Sequence, residues 1–414
     1  MMLSPARQDS PDNRPINDCP GPAERAFLGT ALGAFGLVGI VGALSLILHM
    51  VMSLPALVGS LFDGWVATTE GTPLAPVRWF FGDMTEPLFY KSELAACGLI
   101  VGAALAWWTG RRRRNSWSEL SYGTGLWPWV LTSAALSLLL SNLAFGWMLD
   151  DGWQPTFVPF VCVAPAMVLM YGRGWRTALT AAILGAGTTT PLALLLIPTV
   201  SAPLGLPPVV ACVLAMSLGS VVSFAVARRI PWLDLHQPGP RASSLHAQPG
   251  QPSGLNQTAK DAAWAARRVL KDFTETHFFA NEMASIGVIA GVSLACLLNP
   301  AVPAYGSGLV PHILFSQVLT SAVGVVLWRH WYRGDGWAAT YAPVVSVAPA
   351  AVLAFDGSWQ SILGGALLGA LLAPPLARAI SARLPAGFHP VIGNTASMAV
   401  STAVALPILG LLHR

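Results

Sequence analysis

The chain carries the same text twice. Asp151 opens DGWQPTFVPFVCVAPAMVLMYGRGWRTALTAAILGAGTTTPLA, and Asp335 opens DGWAATYAPVVSVAPAAVLAFDGSWQSILGGALLGALLAPPLA, which aligns without a gap at roughly half identity. Upstream, YGTGLWPWVL from Tyr122 answers YGSGLVPHIL from Tyr305, and DMTEPLFYKSELAACGLIVGAALA from Asp83 answers DFTETHFFANEMASIGVIAGVSLA from Asp272. Two long units are therefore fused head to tail, and the fold must be one that two related units build together.

The units are too apolar for water. Hydrophobic residues make up 54% of the chain and charged residues 10%, whereas about a quarter of the residues of a soluble domain carry charge. The expected class is an all-α, polytopic integral membrane protein. A net charge of +4 does not imply a nucleic-acid partner, because the basic residues stand in short clusters between apolar runs, as the positive-inside rule requires. The partners implied are the lipid bilayer and a small-molecule or ion substrate, and a homo-oligomer is compatible with the sequence.

A helix needs about 20 mostly apolar residues to cross a bilayer. Candidate spans lie near 27–53, 92–109, 125–148, 156–172, 176–198, 207–228, 282–299, 309–328, 339–355, 359–380 and 391–411, about 11 in all. The run from Ala26 exceeds the roughly 7–15 residues of a signal-peptide core, so it reads as a retained span. With this count Arg111 to Arg114, Arg173, Arg176, Arg228, Arg229, Arg329, Arg333, Arg378 and Arg383 fall on one side. That side is cytoplasmic, which puts the N-terminus inside a bacterial inner membrane.

Five spans per unit would turn the second copy over, giving an inverted 5+5 repeat. The expected division is a polar, disordered cytoplasmic tail over 1–25, a first repeat over 26–200, a second over 201–390, and one extra C-terminal helix over 391–414. Within the second repeat, 231–257 has the Pro, Gly, Ser and Gln bias of a linker. Residues 258–272 alternate apolar and basic positions at helical spacing, as an amphipathic helix lying on the inner leaflet would. The spans 156–172 and 339–355 carry Pro155, Pro159, Pro165, Pro343 and Pro349, so they are expected to be interrupted.

Acidic residues at membrane depth are costly and call for a function. Three are acidic in both copies: Asp83 with Asp272, Glu86 with Glu275, and Glu93 with Glu282. All six are candidates for ion coupling, Glu93 and Glu282 foremost; for Asp83 and Asp272 helix capping competes with that role. Interrupted helices at matching positions of two halves are where freed carbonyls and half-helix ends face a substrate. Thr156, Pro159, Thr340 and Pro343 are candidate substrate residues on that ground, with Asn394 at the start of the last helix. The repeated Asp-Gly-Trp at Trp153 and Trp337 reads as an interfacial anchor.

No catalytic or cofactor motif is present: there is no G-x-S-x-G, H-E-x-x-H, P-loop or Cys-x-x-Cys, and the five cysteines lack metal-ligand spacing. An enzyme is not expected, and neither a cofactor nor a metal is signalled. The stretch DFTETHFFANEM, with Asn281, and the later P-x-x-x-A-x-x-L and AxLGAxxxPL pattern resemble a family of multi-spanning bacterial membrane proteins defined only as a domain of unknown function. The resemblance implies two inverted repeats and adds Asn281 to the candidate substrate residues. That family carries G-K-N or G-K-H in its interrupted helix, where this chain has DDGWQP and GDGWAA. The function expected is a secondary transporter coupled to protons or sodium; the alternatives are a passive channel, a membrane-embedded enzyme acting on a lipid-linked substrate, and an assembly partner without its own activity.

Overall fold

The computed structural model describes residues 22–52, 75–112, 119–151, 153–235, 255–300, 303–334 and 336–413. Most of the expected tail and linker lies outside these residues. Among the described residues every regular element is helical. In chain order they are α1 (Pro22–Val51), α2 (Ala75–Thr85), α3 (Glu93–Arg112), α4 (Trp127–Phe145), α5 (Val163–Tyr171), α6 (Trp175–Leu196), α7 (Pro208–Ala227), α8 (Leu255–Glu275), α9 (Glu282–Leu298), α10 (Val310–Leu327), α11 (Arg329–Gly334), α12 (Val347–Ala354), α13 (Trp359–Ser381) and α14 (Val391–Leu412). Eight helical stretches are long and apolar enough to cross a membrane, and three apolar helices are shorter, at Val158–Tyr171, Glu282–Leu298 and Pro343–Ala354. The protein is membrane-embedded.

Local sequence sets the helix ends. Asn281 caps α9, its side chain accepting from the backbone N–H of Met283 (2.9 Å) and Ala284 (3.0 Å). Ser358 does the same for α13 through Ser361 N–H (3.2 Å). Proline in the first turns of α4, α7 and α10 costs no hydrogen bond there. The proline-rich segments break where expected. A 3₁₀ turn at Val158–Val161 ends at Cys162 (φ −138°, ψ −92°) before α5 begins. Its counterpart at Pro343–Val345 ends at Ser346 (φ −139°, ψ −84°) before α12.

The packing centre is the crossing of α3 and α9. A Cβ on Gly98 would lie 2.0 Å from the carbonyl oxygen of Gly287, and one on Gly287 would lie 2.1 Å from that of Gly98. Gly102 abuts Met283 O at 2.3 Å and Gly291 abuts Leu94 O at 2.2 Å on the same test. Contact positions that rise on one helix and fall on the other mean that the two run antiparallel. Each contributes G-x-x-x-G, the small-residue spacing that lets backbones touch in a membrane. The approach is closed to any residue with a side chain.

Two loops clasp the units together. Ser121 and Tyr122 (φ 49° and 60°) and their counterparts Ala304 and Tyr305 (φ 52° and 61°) adopt the same left-handed backbone, which costs an L-residue roughly 1–2 kcal/mol. Backbone bonds across the junction hold them: Ser121 N–H donates to Phe279 O (2.9 Å) and Ala304 N–H to Tyr90 O (2.7 Å). Each unit supplies one donor and one acceptor.

Two expectations change. Helix α8 does not lie by itself on a leaflet. It runs parallel to α1, with Gly29 against Thr258 and Gly33 against Ala262, and packs also on α9 and α10, so that Ala265, Val269 and Phe273 are fully buried. Secondly, α7 packs on α6 as α14 packs on α13, whereas α1 lies against α8 and α10. The helix without a counterpart in this packing is α1, not the C-terminal α14. The sequence carries the same pairing, since PVVACVLAM from Pro208 aligns with PVIGNTASM from Pro390.

Candidate functional site

Asp83, at the end of α2, and Glu86, in the turn after it, are buried. Both meet one cation, Lys91, whose Nζ contacts Asp83 Oδ1 and lies 2.9 Å from Glu86 Oε2. Neutral donors engage the remaining oxygens. Thr156 Oγ1 (2.6 Å) and Asn142 Nδ2 (3.1 Å) donate to Asp83 Oδ2. Trp153 Nε1 donates to Glu86 Oε1 at 2.7 Å, and Tyr305 OH, from the other unit, donates to the same oxygen. Burying carboxylates is costly unless each is paired and hydrogen-bonded, which this arrangement accomplishes.

The second unit builds the same group from a different cation. Arg268, on α8, contacts both Asp272 and Glu275. Thr340 donates to Asp272 (3.0 Å), Ser321 donates to its other oxygen, and Trp337 Nε1 donates to Glu275 (2.6 Å). In the alignment Arg268 corresponds to Trp79 and Lys91 to Ala280. The Lys91 ammonium sits 3.9 Å from the centre of the Trp79 ring, so the indole at the position of the missing arginine contributes a cation–π face.

Glu93 and Glu282 form a separate mirrored pair. Arg78 Nε is 2.8 Å from Glu93, and Arg267 Nε is 2.6 Å from Glu282. Both acids occupy the first turn of their helices, where the macrodipole favours negative charge. They stand at opposite ends of the antiparallel α3–α9 crossing, roughly 15 Å apart along it at 1.5 Å per residue, and neither lines the cavity described next.

A cavity of about 430 Å³ lies where the units meet. Its wall contains corresponding residues of both: Phe157 with Tyr341, Val161 with Val345, Val209 with Val391, Val213 with Thr395, and Met216 with Met398. Glu86 lines it together with Trp153 and Tyr305, whereas Glu275 does not. Size and largely apolar walls with a few polar groups are what a small-molecule site requires.

None of the expected substrate residues, Thr156, Pro159, Thr340, Pro343, Asn281 and Asn394, lines this cavity. Thr156 and Thr340 hold the aspartates. Pro159 and Pro343 pack toward Gly185 and Gly369, where an added Cβ would come within 3.5 Å and 2.8 Å of the ring carbons. Asn281 caps α9 and donates to Glu119 O (3.0 Å). Asn394 donates to Tyr341 OH (3.0 Å), which orients a cavity residue. Trp153 and Trp337, expected as interfacial anchors, spend their N–H groups on Glu86 and Glu275. Sequence reasoning missed Lys91, Arg268, Tyr305, Tyr341 and Cys212. The signal for the first two was present, as basic residues within eight positions of a repeated acid. No protein-family model matches the chain, and no curated protein is significantly similar to it.

Proposed function

We propose that this chain is a secondary transporter of the bacterial inner membrane, N-terminus cytoplasmic, whose cargo site is the cavity between the units. The repeat is read as two inverted five-helix units, α3 to α7 and α9 to α14 without the short α11, preceded by α1. The short apolar helices, counted with the eight longer stretches, supply the eleven crossings this topology needs. The antiparallel contact of Gly98 with Gly287 supports the inversion, because equivalent helices related by a two-fold axis in the membrane plane meet that way.

The observation that carries the reading is the composition of the cavity wall. Corresponding residues of both units line one chamber, so a rocking motion about the glycine crossing would open it toward either face in turn. Coupling to protons or sodium is assigned to the group of Asp83, Glu86 and Lys91, of which Glu86 lines the chamber, in preference to Glu93 and Glu282, which are held by arginines away from it.

Cys212 lines the cavity and provides the test. A variant keeping Cys212 as its sole cysteine is treated with a membrane-impermeant maleimide in right-side-out and inside-out vesicles. Labelling is expected from both faces, with an imposed proton or sodium gradient raising one rate and lowering the other. Access from one face only, or equal access from both that no gradient changes, would overturn the transporter reading; the second result is that of a channel.

A further inference from the structure

The cavity wall is specific about charge. Five aromatic side chains, Phe89, Trp153, Phe157, Tyr305 and Tyr341, line it, and among the described residues Glu86 is its one charged side chain. Lys91 stands behind Glu86, on the Trp79 ring. Counted as ionised, the group of Asp83, Glu86 and Lys91 carries two negative charges and one positive. A surplus negative charge thus borders an aromatic chamber. The other titratable groups facing Glu86 are Tyr305, which donates to it, and the Cys212 thiol across the chamber.

The N-terminal turns of α7 and α14 touch the same chamber and would ordinarily favour an anion. Their donors are largely spent. Pro207, Pro208 and Pro390 have no N–H. Val210 N–H donates to Pro207 O and Ile392 N–H to His389 O. Ala211 N–H donates to Ser201 Oγ (3.2 Å) and Val391 N–H to His389 Nδ1 (3.0 Å). An anion would meet aromatic faces and a carboxylate with few donors to receive it. A cation would meet ring faces that attract it and a charge it neutralises.

Resting on the reading of this cavity as the cargo site, the geometry points to a cargo that is a bulky apolar organic cation of single charge, its positive centre beside Glu86 and its body among the aromatic rings. The test uses three probes of similar shape: tetraphenylphosphonium, uncharged triphenylphosphine oxide and anionic tetraphenylborate. Each is titrated against maleimide labelling of the Cys212-only protein in an uncharged detergent. Tetraphenylphosphonium is expected to protect Cys212 at a concentration at least tenfold lower than the other two. Glu86→Gln is expected to remove that preference while leaving protection by the phosphine oxide unchanged, and Glu275→Gln to leave all three curves unchanged.

Equal or better protection by the borate or the oxide in the unaltered cavity would overturn the assignment without recourse to any charge variant. So would failure of the cation to protect. If Cys212 still alternates between faces while the cation fails, the transporter reading stands and the cargo class falls. Protection by the cation with Cys212 reachable from one face only gives the reverse.

Discussion

The two buried acid groups are the same solution reached with different residues. In the second unit the cation is Arg268, twelve residues before Ala280; in the first it is Lys91, at the position of that alanine, with Trp79 where the arginine would be. Threonine, tryptophan and both carboxylates keep their places. What the duplicated fold requires is thus a positive charge at one point in space, and the chain supplies it from the helix before the acids in one unit and from the loop after them in the other. The difference also has a functional side. Arginine is always charged and presents a rigid fork, which suits a group that only has to stay closed. Lysine is a point charge on a flexible stem, and it stands in the group that borders the cavity.

Removing the cation from each group tests how alike they are. Arg268→Ala leaves Asp272 and Glu275 buried without a counter-charge, and a loss of about 3–5 kcal/mol is expected for such a break. Thermal unfolding in detergent should show a large fall in Tm, or the variant should fail to accumulate. Lys91→Ala should cost less, because the neighbouring cavity can admit water to Glu86. A larger loss for Lys91→Ala would reverse the assignment of the static and the working group.

A sharper test moves the second unit's solution into the first. Trp79→Arg combined with Lys91→Ala reproduces the Arg268 and Ala280 pair, and the double variant is expected to recover roughly half or more of the Tm lost in Lys91→Ala, a coupling that neighbouring sites in one network permit. A double variant no more stable than Lys91→Ala alone would break the equivalence. The smallest effect is expected from the shared threonines. Thr156→Val and Thr340→Val each remove one hydrogen bond to a buried carboxylate, about 1.5–3 kcal/mol, and the two losses should agree closely in paired unfolding measurements.

Part of this was legible in the chain. Each of the apolar runs named from the sequence contains a helix, and the proline breaks fall at Cys162 and Ser346 as the repeated text implies. The six acids are recognisable because both copies keep them. Lys91 and Arg268 escaped notice for the converse reason: a search for what is repeated discards residues found in one copy only, and the counter-ions are such residues. The same habit assigned α7 to the opening of the second unit. Its likeness to α14 is confined to a short stretch around Met216 and Met398, and the packing of each on the helix before it makes the pairing plain.

Hydrophobicity, helix ends and the duplicated acids are local or statistical properties, so the amino-acid order determined them without help: apolar runs must leave water, prolines must break helices, and a buried acid must be answered. Which cation answers which acid, that Glu86 and not Glu275 faces the cavity between the units, and that Gly98 meets Gly287 backbone to backbone were decided by the tertiary structure. These depend on distances between segments far apart in the chain. Coulomb attraction and steric contact act through space, and only the packed helices determine who is near whom.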